Sequence, residues 1–384
     1  MRIAIFTTTR AEFGIFIPLI NAINQCSNLE HLLFVGGTHL STKYGYTIEE
    51  IKKEGFPITD TFNYVTEKTA PFDLLKSTAN EITELARIFN DYKFDAICVL
   101  GDRYELLPIV MSAILYQKAV IHIHGGERSE GTIDEQVRHM ITKAAHIHFA
   151  SCEEYAQNIQ KMGESSWRVF NTGALAVDNM KNIKQTPKDI LFNELKLNPS
   201  KDLAILTYHP VTLEKKLSPT DQIKNIFLAL RAFDVQIIIT APNLEADRDE
   251  ILKEIMKFVE INETYHFVES LGTKRYLNLI SHCKFVIGNS SSGIIEVPFF
   301  KVPTINIGNR QKGRIKHKSV IDTDYFIESI KAGIIKALDK DFIRSIEKMK
   351  YIFGSGNTAK KMVEILQSTT IDQKFIQKEL DFPC

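Results

Sequence analysis

The chain carries a single tryptophan in 384 residues, five cysteines with no CxxC spacing, and no net charge, 47 basic side chains standing against 47 acidic ones. Each shortage closes a class of function. Scattered and odd in number, Cys26, Cys98, Cys152, Cys283 and Cys384 argue against a disulfide framework and against a structural zinc site. Charge balance removes the global basic field that nucleic acid or an anionic membrane would need, so any partner must be recognised locally. No apolar run approaches membrane-spanning length, and the opening MRIAIFTTTR lacks the apolar core and cleavage site of a secretory signal. The expectation is a soluble cytoplasmic protein. Where a GxGxxG would follow the first apolar run the sequence reads TTTRAEFG, and no Walker A sequence occurs, so no redox dinucleotide cofactor is expected.

What is abundant is the short apolar run. RIAIFTT, HLLFVGG, DAICVLG, AVIHIHG and HIHFAS recur in the first half; LAILTYH, VQIIITAP, YHFVES, KFVIGN and VPTINIG follow in the second. Such runs do not alternate, which marks strands covered on both faces, and the helix-length stretches between them mark βαβ units. The fold class is therefore α/β, with two Rossmann-like domains, parallel sheets and a central cleft. The polar, proline-bearing stretch from Lys181 to Asp202 is the expected connection, giving domains over 1–180 and 181–365 and a helical tail over 366–384.

In open parallel sheets ligands bind beyond the carboxyl ends of the strands, and here those ends are rich in chemistry. Arg10, His39, Asp102, Arg103, His124, Glu127, His209 and Arg310 all follow apolar runs, where a structural protein needs only glycine and asparagine. Arg10, Arg103, His209 and Arg310 suit one diphosphate, arginine offering two parallel N–H groups to phosphate oxygens. The stretch KFVIGNSSSGIIEVPFF reads as strand, small-residue turn and helix start, so Ser290, Ser291 and Ser292 stand where free N–H groups and the helix dipole favour an anion. Glu296, one turn on, suits a ribose diol. The plainer alternative is that Ser292 only caps the helix and Glu296 only favours its dipole.

Acid and base groups concentrate in GDR and in HIHGGERSEGTIDEQVRH, which hold Asp102, His122, His124, Glu127, Asp134 and His139. Carboxylates and imidazoles crowded together hold different protonation states at neutral pH, as proton abstraction and donation require. His122 and His124 alternate along a strand and so point to opposite faces, which does not make both ligands of one ion. No metal is assigned, although carboxylates alone suit a hard cation. Asp134, Glu135 and Arg138 also read simply as an exposed helical charge pattern.

Taken in order, RAEFG, GTHLS, GDR, HIHGGE with GTIDEQVRHMITK, YHP, GNSSSGIIE and GNRQKGR resemble the UDP-N-acetylglucosamine 2-epimerase family, in particular its hydrolysing branch in sialic- and legionaminic-type sugar synthesis. The resemblance runs from the first strand to about Gly313. It implies a GT-B fold in which the second domain holds the nucleotide and the first faces the sugar. It further implies that Arg10, His209, Ser290, Ser291 and Arg310 contact the diphosphate region, Glu296 the ribose, and Asn243 and the backbone near Leu271 the base. Asp102, beside Arg103, and Asp134 match catalytic positions. His124 departs from the glutamate that many relatives carry there, and Glu127 follows three residues on, so the proton-moving group is Asp102, Asp134, His124 or Glu127. The implied substrate is a nucleotide-linked N-acetylated amino sugar, either N,N'-diacetylbacillosamine on UDP or GDP or UDP-N-acetylglucosamine. No metal or redox cofactor is implied, and the assembly implied is a homodimer or homotetramer. A GT-B glycosyltransferase, which would need an acceptor, and a non-catalytic nucleotide-sugar sensor are the competing classes.

Overall fold

The computed structural model describes residues 1–66, 68, 70–130, 132–211, 217–242 and 247–382. Two compact units form, one from Met1–Glu127, Asp134–Lys181 and Phe353–Cys384, the other from Arg128–Ile133 and Asn182–Ile352. Both are Rossmann-like, as the alternation of apolar runs and helices predicts.

The first unit holds seven strands, β1 (Arg2–Thr7), β2 (Glu30–Gly36), β3 (Asp60–Phe62), β4 (Ala96–Leu100), β5 (Ala119–Ile123), β6 (Ile147–Ala150) and β7 (Val169–Asn171). They lie in the order β3-β2-β1-β4-β5-β6-β7 with every pairing parallel. Side chains of β1 divide by parity: Ile3 and Ile5 join one apolar cluster, Ala4 and Phe6 the other. A sheet covered on both faces demands this, and it explains why these strands read as continuous apolar runs. The helix Arg10–Asn24 presents Phe13, Phe16, Leu19, Ile20 and Ile23 to the first cluster. Onto the same cluster comes the distant helix Thr358–Ser368, whose Ala359, Met362, Val363 and Leu366 are buried with them. Each of the larger side chains among these, fully buried, contributes about 2 kcal/mol of apolar transfer.

The second unit holds β8 (Asp202–Thr207), β9 (Val235–Thr240), β10 (Tyr265–Val268), β11 (Phe285–Gly288), β12 (Thr304–Ile307) and β13 (Val320–Thr323), in the order β10-β9-β8-β11-β12-β13, again all parallel. In both sheets the strand order reverses once, between β1 and β4 and between β8 and β11. Crevices open beyond strand ends at such reversals, because the crossover helices on the two sides lie on opposite faces. The residues that follow β1, β4, β8 and β11 are those flanking the two reversals. Among the described residues no helix is long and apolar enough to cross a membrane.

Candidate active site

At the first unit's reversal, β1 ends in Thr7 and the chain turns into the helix Arg10–Asn24 through a capping arrangement. Glu12 Oε2 accepts from the Thr8 amide (2.8 Å), the Thr8 hydroxyl (3.0 Å) and the Thr9 amide (3.1 Å), satisfying donors the helix start leaves open. Arg10 opens the helix and lies 3.6 Å from Glu50. His39 is placed differently from a surface ligand: fully buried, it meets the Thr7 hydroxyl at 3.0 Å and the Thr47 hydroxyl at 2.8 Å, and burial lowers its pKa to about 3. It is a neutral imidazole engaged at both nitrogens.

Beyond β4, Gly101 takes a left-handed φ of +85° and delivers Asp102 and Arg103. His122, buried inside β5, reaches the Gly101 carbonyl at 2.8 Å, and desolvation holds its pKa near 3. A neutral ring donating to that carbonyl fixes the turn that presents Asp102. Asp102 is in turn paired with Arg138 from the helix Asp134–Ala144. Arg138 is 1% exposed and also lies 4.0 Å from Glu135, so it is no part of an exposed helical charge pattern. A guanidinium taken out of water needs such a partner, and the carboxylate gains a fixed position in return. Arg103 is bound to Glu105 at 2.5 Å.

His124 does not sit in the strand with His122. It lies one residue past β5, in the left-handed region at φ +66°, a conformation uncommon outside glycine and one that over-determined sites tolerate. Its Nδ1 stands 2.8 Å from Glu127 Oε1, which also accepts from the Ser151 hydroxyl at 2.9 Å. Both side chains are buried, and His124 Nε2 meets no hydrogen-bond partner among the described residues. Gly126 makes the turn between them possible: at φ +74° a Cβ there would stand 2.2 Å from the Tyr155 carbonyl. A carboxylate on one nitrogen and an open lone pair on the other is the arrangement of an oriented base. Asp134 heads its helix, half-buried, in the same segment.

In the second unit, Gly288 ends β11 at φ +135°, where a Cβ would lie 1.9 Å from the Thr207 carbonyl. The close approach of β11 to β8 brings Asn289 against His209. Asn289 is fully buried; its Oδ1 accepts from the His209 amide (2.7 Å), its Nδ2 donates to the His209 carbonyl (2.8 Å), and its own carbonyl accepts from Gln311 Nε2 (2.8 Å). One asparagine thus ties together the segments bearing His209, Ser290 and Arg310. The helix Ser292–Phe299 starts at an N-cap, Ser291, whose side chain makes no cap hydrogen bond. The Ser292 hydroxyl lies 2.6 Å from the Tyr276 hydroxyl and Ser290 Oγ accepts from the Ser292 amide at 3.3 Å. Ser292 is thus the first residue of the helix rather than its cap, and Ser290 takes one of the helix-start amides. Half-buried serines at a helix start can present N–H and O–H groups to an anion. Glu296 is one turn on, close enough to raise the pKa values of Tyr276 and Tyr351 beyond the effect of their burial. Arg310, 9% exposed, follows β12, where Gly308 packs on the Tyr325 ring and the Asn309 amide donates to the Tyr325 hydroxyl. Leu271 is the buried N-cap of the helix Gly272–Ile280 and its carbonyl accepts from Arg275. Asn243 lies outside the described residues.

The sequence-derived groups thus separate by unit: Arg10, His39, Asp102, Arg103, His124, Glu127 and Asp134 belong to the first, and His209, Leu271, Ser290, Ser291, Glu296 and Arg310 to the second. Two partners escaped the sequence reading. Arg138 was visible only as a helical charge, though its motif, DEQVRH, carries it; Asn289 looked like a turn residue. Among the described residues, no group of three or more His, Cys, Asp or Glu is disposed to hold a metal ion.

Residues 21–367 match the family described as UDP-N-acetylglucosamine 2-epimerase. A GDP/UDP-N,N'-diacetylbacillosamine 2-epimerase (hydrolyzing) of Campylobacter jejuni is 35% identical over 343 residues, covering 89% of this chain and 88% of the relative. A UDP-N,N'-diacetylbacillosamine 2-epimerase (hydrolyzing) of Legionella pneumophila is 30% identical over 379 residues, 98% of each. Among solved structures, the UDP-GlcNAc 2-epimerase of Neisseria meningitidis bound to UDP-GlcNAc superimposes with a TM-score of 0.82 at 17% identity, over 96% of this chain and all of the other, a likeness of fold, two Rossmann-like domains of the GT-B class. With a family match spanning nearly the whole chain, and relatives at 30% identity and above, this protein belongs to the UDP-N-acetylglucosamine 2-epimerase family.

Proposed function

We propose that the chain is a hydrolysing 2-epimerase of a nucleotide-diphospho N-acetylated amino sugar, acting on UDP- or GDP-linked N,N'-diacetylbacillosamine to supply nonulosonic acid synthesis. The observation that carries it is the His124–Glu127 pair, a buried imidazole oriented through Nδ1 with Nε2 left open. The substrate is supported by the names of the Campylobacter and Legionella relatives.

In this reading His124 Nε2 takes the proton from C2 while the C1–O bond breaks, its electron pair leaving on the diphosphate and a C1=C2 glycal forming. Water then adds, its hydroxyl to C1 and a proton to C2 from the opposite face. The products are the free 2-epimeric sugar and the nucleoside diphosphate. A C2 proton is weakly acidic, so elimination needs the developing diphosphate charge to be met by fixed donors; Ser290, Ser291, His209, Arg310, Arg10 and Arg103 take that part. Glu296 receives the ribose, Asn243 and Leu271 the base. Asp102, fixed by Arg138, and Asp134 return the proton and activate water. His39 serves the site by holding Thr7 and Thr47 in place.

The test is NMR in heavy water with UDP- and GDP-linked forms of both candidate sugars. The reading expects free 2-epimeric sugar carrying deuterium at C2, together with nucleoside diphosphate. An intact epimeric nucleotide sugar as sole product defeats the hydrolytic assignment; faster turnover of UDP-N-acetylglucosamine transfers the substrate to that compound; dependence on an acceptor points to a glycosyltransferase.

A further inference from the structure

Next to the turn that carries Asp102 lies a second, closed set of ionisable groups, of which the reaction above uses only Arg103. Glu12 comes from the helix Arg10–Asn24, Glu81 from the helix Pro71–Asp91, Tyr64 from the segment after β3, and Arg103, Tyr104 and Glu105 from the segment after β4. Glu12, Glu81, Glu105 and Tyr64 are each at most 5% exposed. Arg103 meets Glu105 at 2.5 Å, the one guanidinium in this set of described residues against three carboxyl groups. Glu12 Oε2 is saturated by Thr8 and Thr9, while Glu12 Oε1, Glu105 Oε2, the Tyr64 hydroxyl and both oxygens of Glu81 meet no hydrogen-bond partner among the described residues. The charges that bear on Glu81 are those of Glu105 and Glu12, and on Tyr64 those of Glu81, Glu105, Tyr104 and Glu12; Tyr44 bears on Tyr104.

We propose that Glu81, which lies outside every motif of the sequence, is a positioning residue for the 2-epimerase reaction: it sits as the neutral acid behind Glu105, so that Glu105 keeps one undivided ion pair with Arg103 and the turn bearing Asp102 stays in one place. The inference rests on the activity proposed above. Three buried carboxylates against one guanidinium would leave two uncompensated charges, a burden that a closed site sheds by taking up protons. Glu81 is the group least able to stay charged, having neither a donor nor a cation of its own among the described residues. Glu12, next in line, has Thr8 and Thr9 as donors, and burial still raises its pKa to about 7. With Glu81 and Glu12 protonated the set is neutral. Ionising Glu81 would set a second negative charge against Glu105, loosening its hold on Arg103 and on the turn.

Glutamine copies the neutral acid in shape and polarity, and leucine copies only its bulk. Glu81→Gln is expected to keep kcat within about twofold of wild type at pH 7 and to extend activity further into the alkaline range, while Glu81→Leu loses kcat about tenfold or more. A raised carboxyl pKa stabilises the fold below the ordinary carboxyl range and loses that contribution as pH rises, so Glu81→Gln, which cannot ionise, should show a flatter dependence of melting temperature on pH between 6 and 8 than wild type. That second readout needs no turnover: an inactive wild type defeats the proposed function, whereas only the variants judge Glu81. Equal loss of kcat in both variants, full activity in both, or pH profiles of rate and melting that Glu81→Gln leaves unmoved would each overturn the proposal. Should the leucine variant not fold, the two pH profiles of the glutamine variant decide it alone.

Discussion

Replacing Arg138 with glutamine tests the link between the helix Asp134–Ala144 and the Asp102 turn. At an effective dielectric near 20 and about 3 Å, a guanidinium and a carboxylate attract by about 5 kcal/mol before desolvation. Arg138 is 1% exposed and Asp102 19%, so removing the cation takes a charge partner from a carboxylate that water only partly reaches. Breaking a buried pair costs about 3–5 kcal/mol, and the exposure of Asp102 sets the value at the lower end, about 3. In a unit of this size, with about 3 °C per kcal/mol, melting should fall by about 9 °C. Without its tie to Arg138, Asp102 shifts, and a displacement of about 1 Å costs about a hundredfold in kcat. UDP affinity should not change, since no nucleotide group is touched. Arg138→Lys keeps the charge but not the reach and planar shape of the guanidinium, so it should recover part of the stability and little of the rate. The measurements are thermal melts, single-turnover rates and UDP titration calorimetry. A glutamine variant that melts within about 2 °C of wild type and turns over within about twofold of it refutes the reasoning.

His124→Gln should lower kcat by about 10²–10⁴ with UDP binding kept, read by NMR of released sugar; a loss confined to KM would remove His124 from proton transfer. Gly288→Ala forces a Cβ to 1.9 Å from the Thr207 carbonyl at φ +135°, and a loss of more than about 4 kcal/mol in urea unfolding is expected. Stability should also depend on pH in a way Glu12 moderates. Burial holds His39 and His122 neutral with pKa values of about 3, so their contribution is complete above the ordinary value of 6.5 and declines as pH falls, about 2 kcal/mol each by pH 5. Glu12, raised to about 7, acts with the opposite sign: its contribution is complete below 4.5 and declines as pH rises through 7, offsetting about 2 kcal/mol of the acid loss. Glu12→Gln should therefore lose more stability than wild type between pH 7 and pH 5 in urea midpoints, and equal slopes would show that Glu12 is not the moderating group.

The sheets were legible because β1, β4, β8 and β11 are each buried on both faces, and only continuous apolar runs satisfy that. Strand-end positions were legible for the same reason, since the first polar residue after such a run must leave the sheet. What periodicity does not report is the partner across space. Arg138 and Glu135 look alike in a helical charge pattern, and only the Asp102 turn distinguishes them. His124 was read as a strand residue because its left-handed backbone is imposed by the Gly126 turn against Tyr155, not by local propensity. Glu81 stood in no motif, and a glutamate on an amphipathic helix announces nothing about being buried. The expected second domain ran to residue 365, whereas the helix Thr358–Ser368 packs on the first sheet, because an amphipathic face does not say which sheet it will meet.

That last packing bears on how the protein is made. Ile3, Phe13 and Phe16 share an apolar cluster with Met362, Val363, Leu366 and Phe375, partners that a ribosome delivers only after some 350 further residues. All six strands of the second sheet emerge in between. The sheet synthesised first is therefore completed last, and until then the helix Arg10–Asn24 carries an uncovered apolar face that a chaperone or another nascent chain is free to meet.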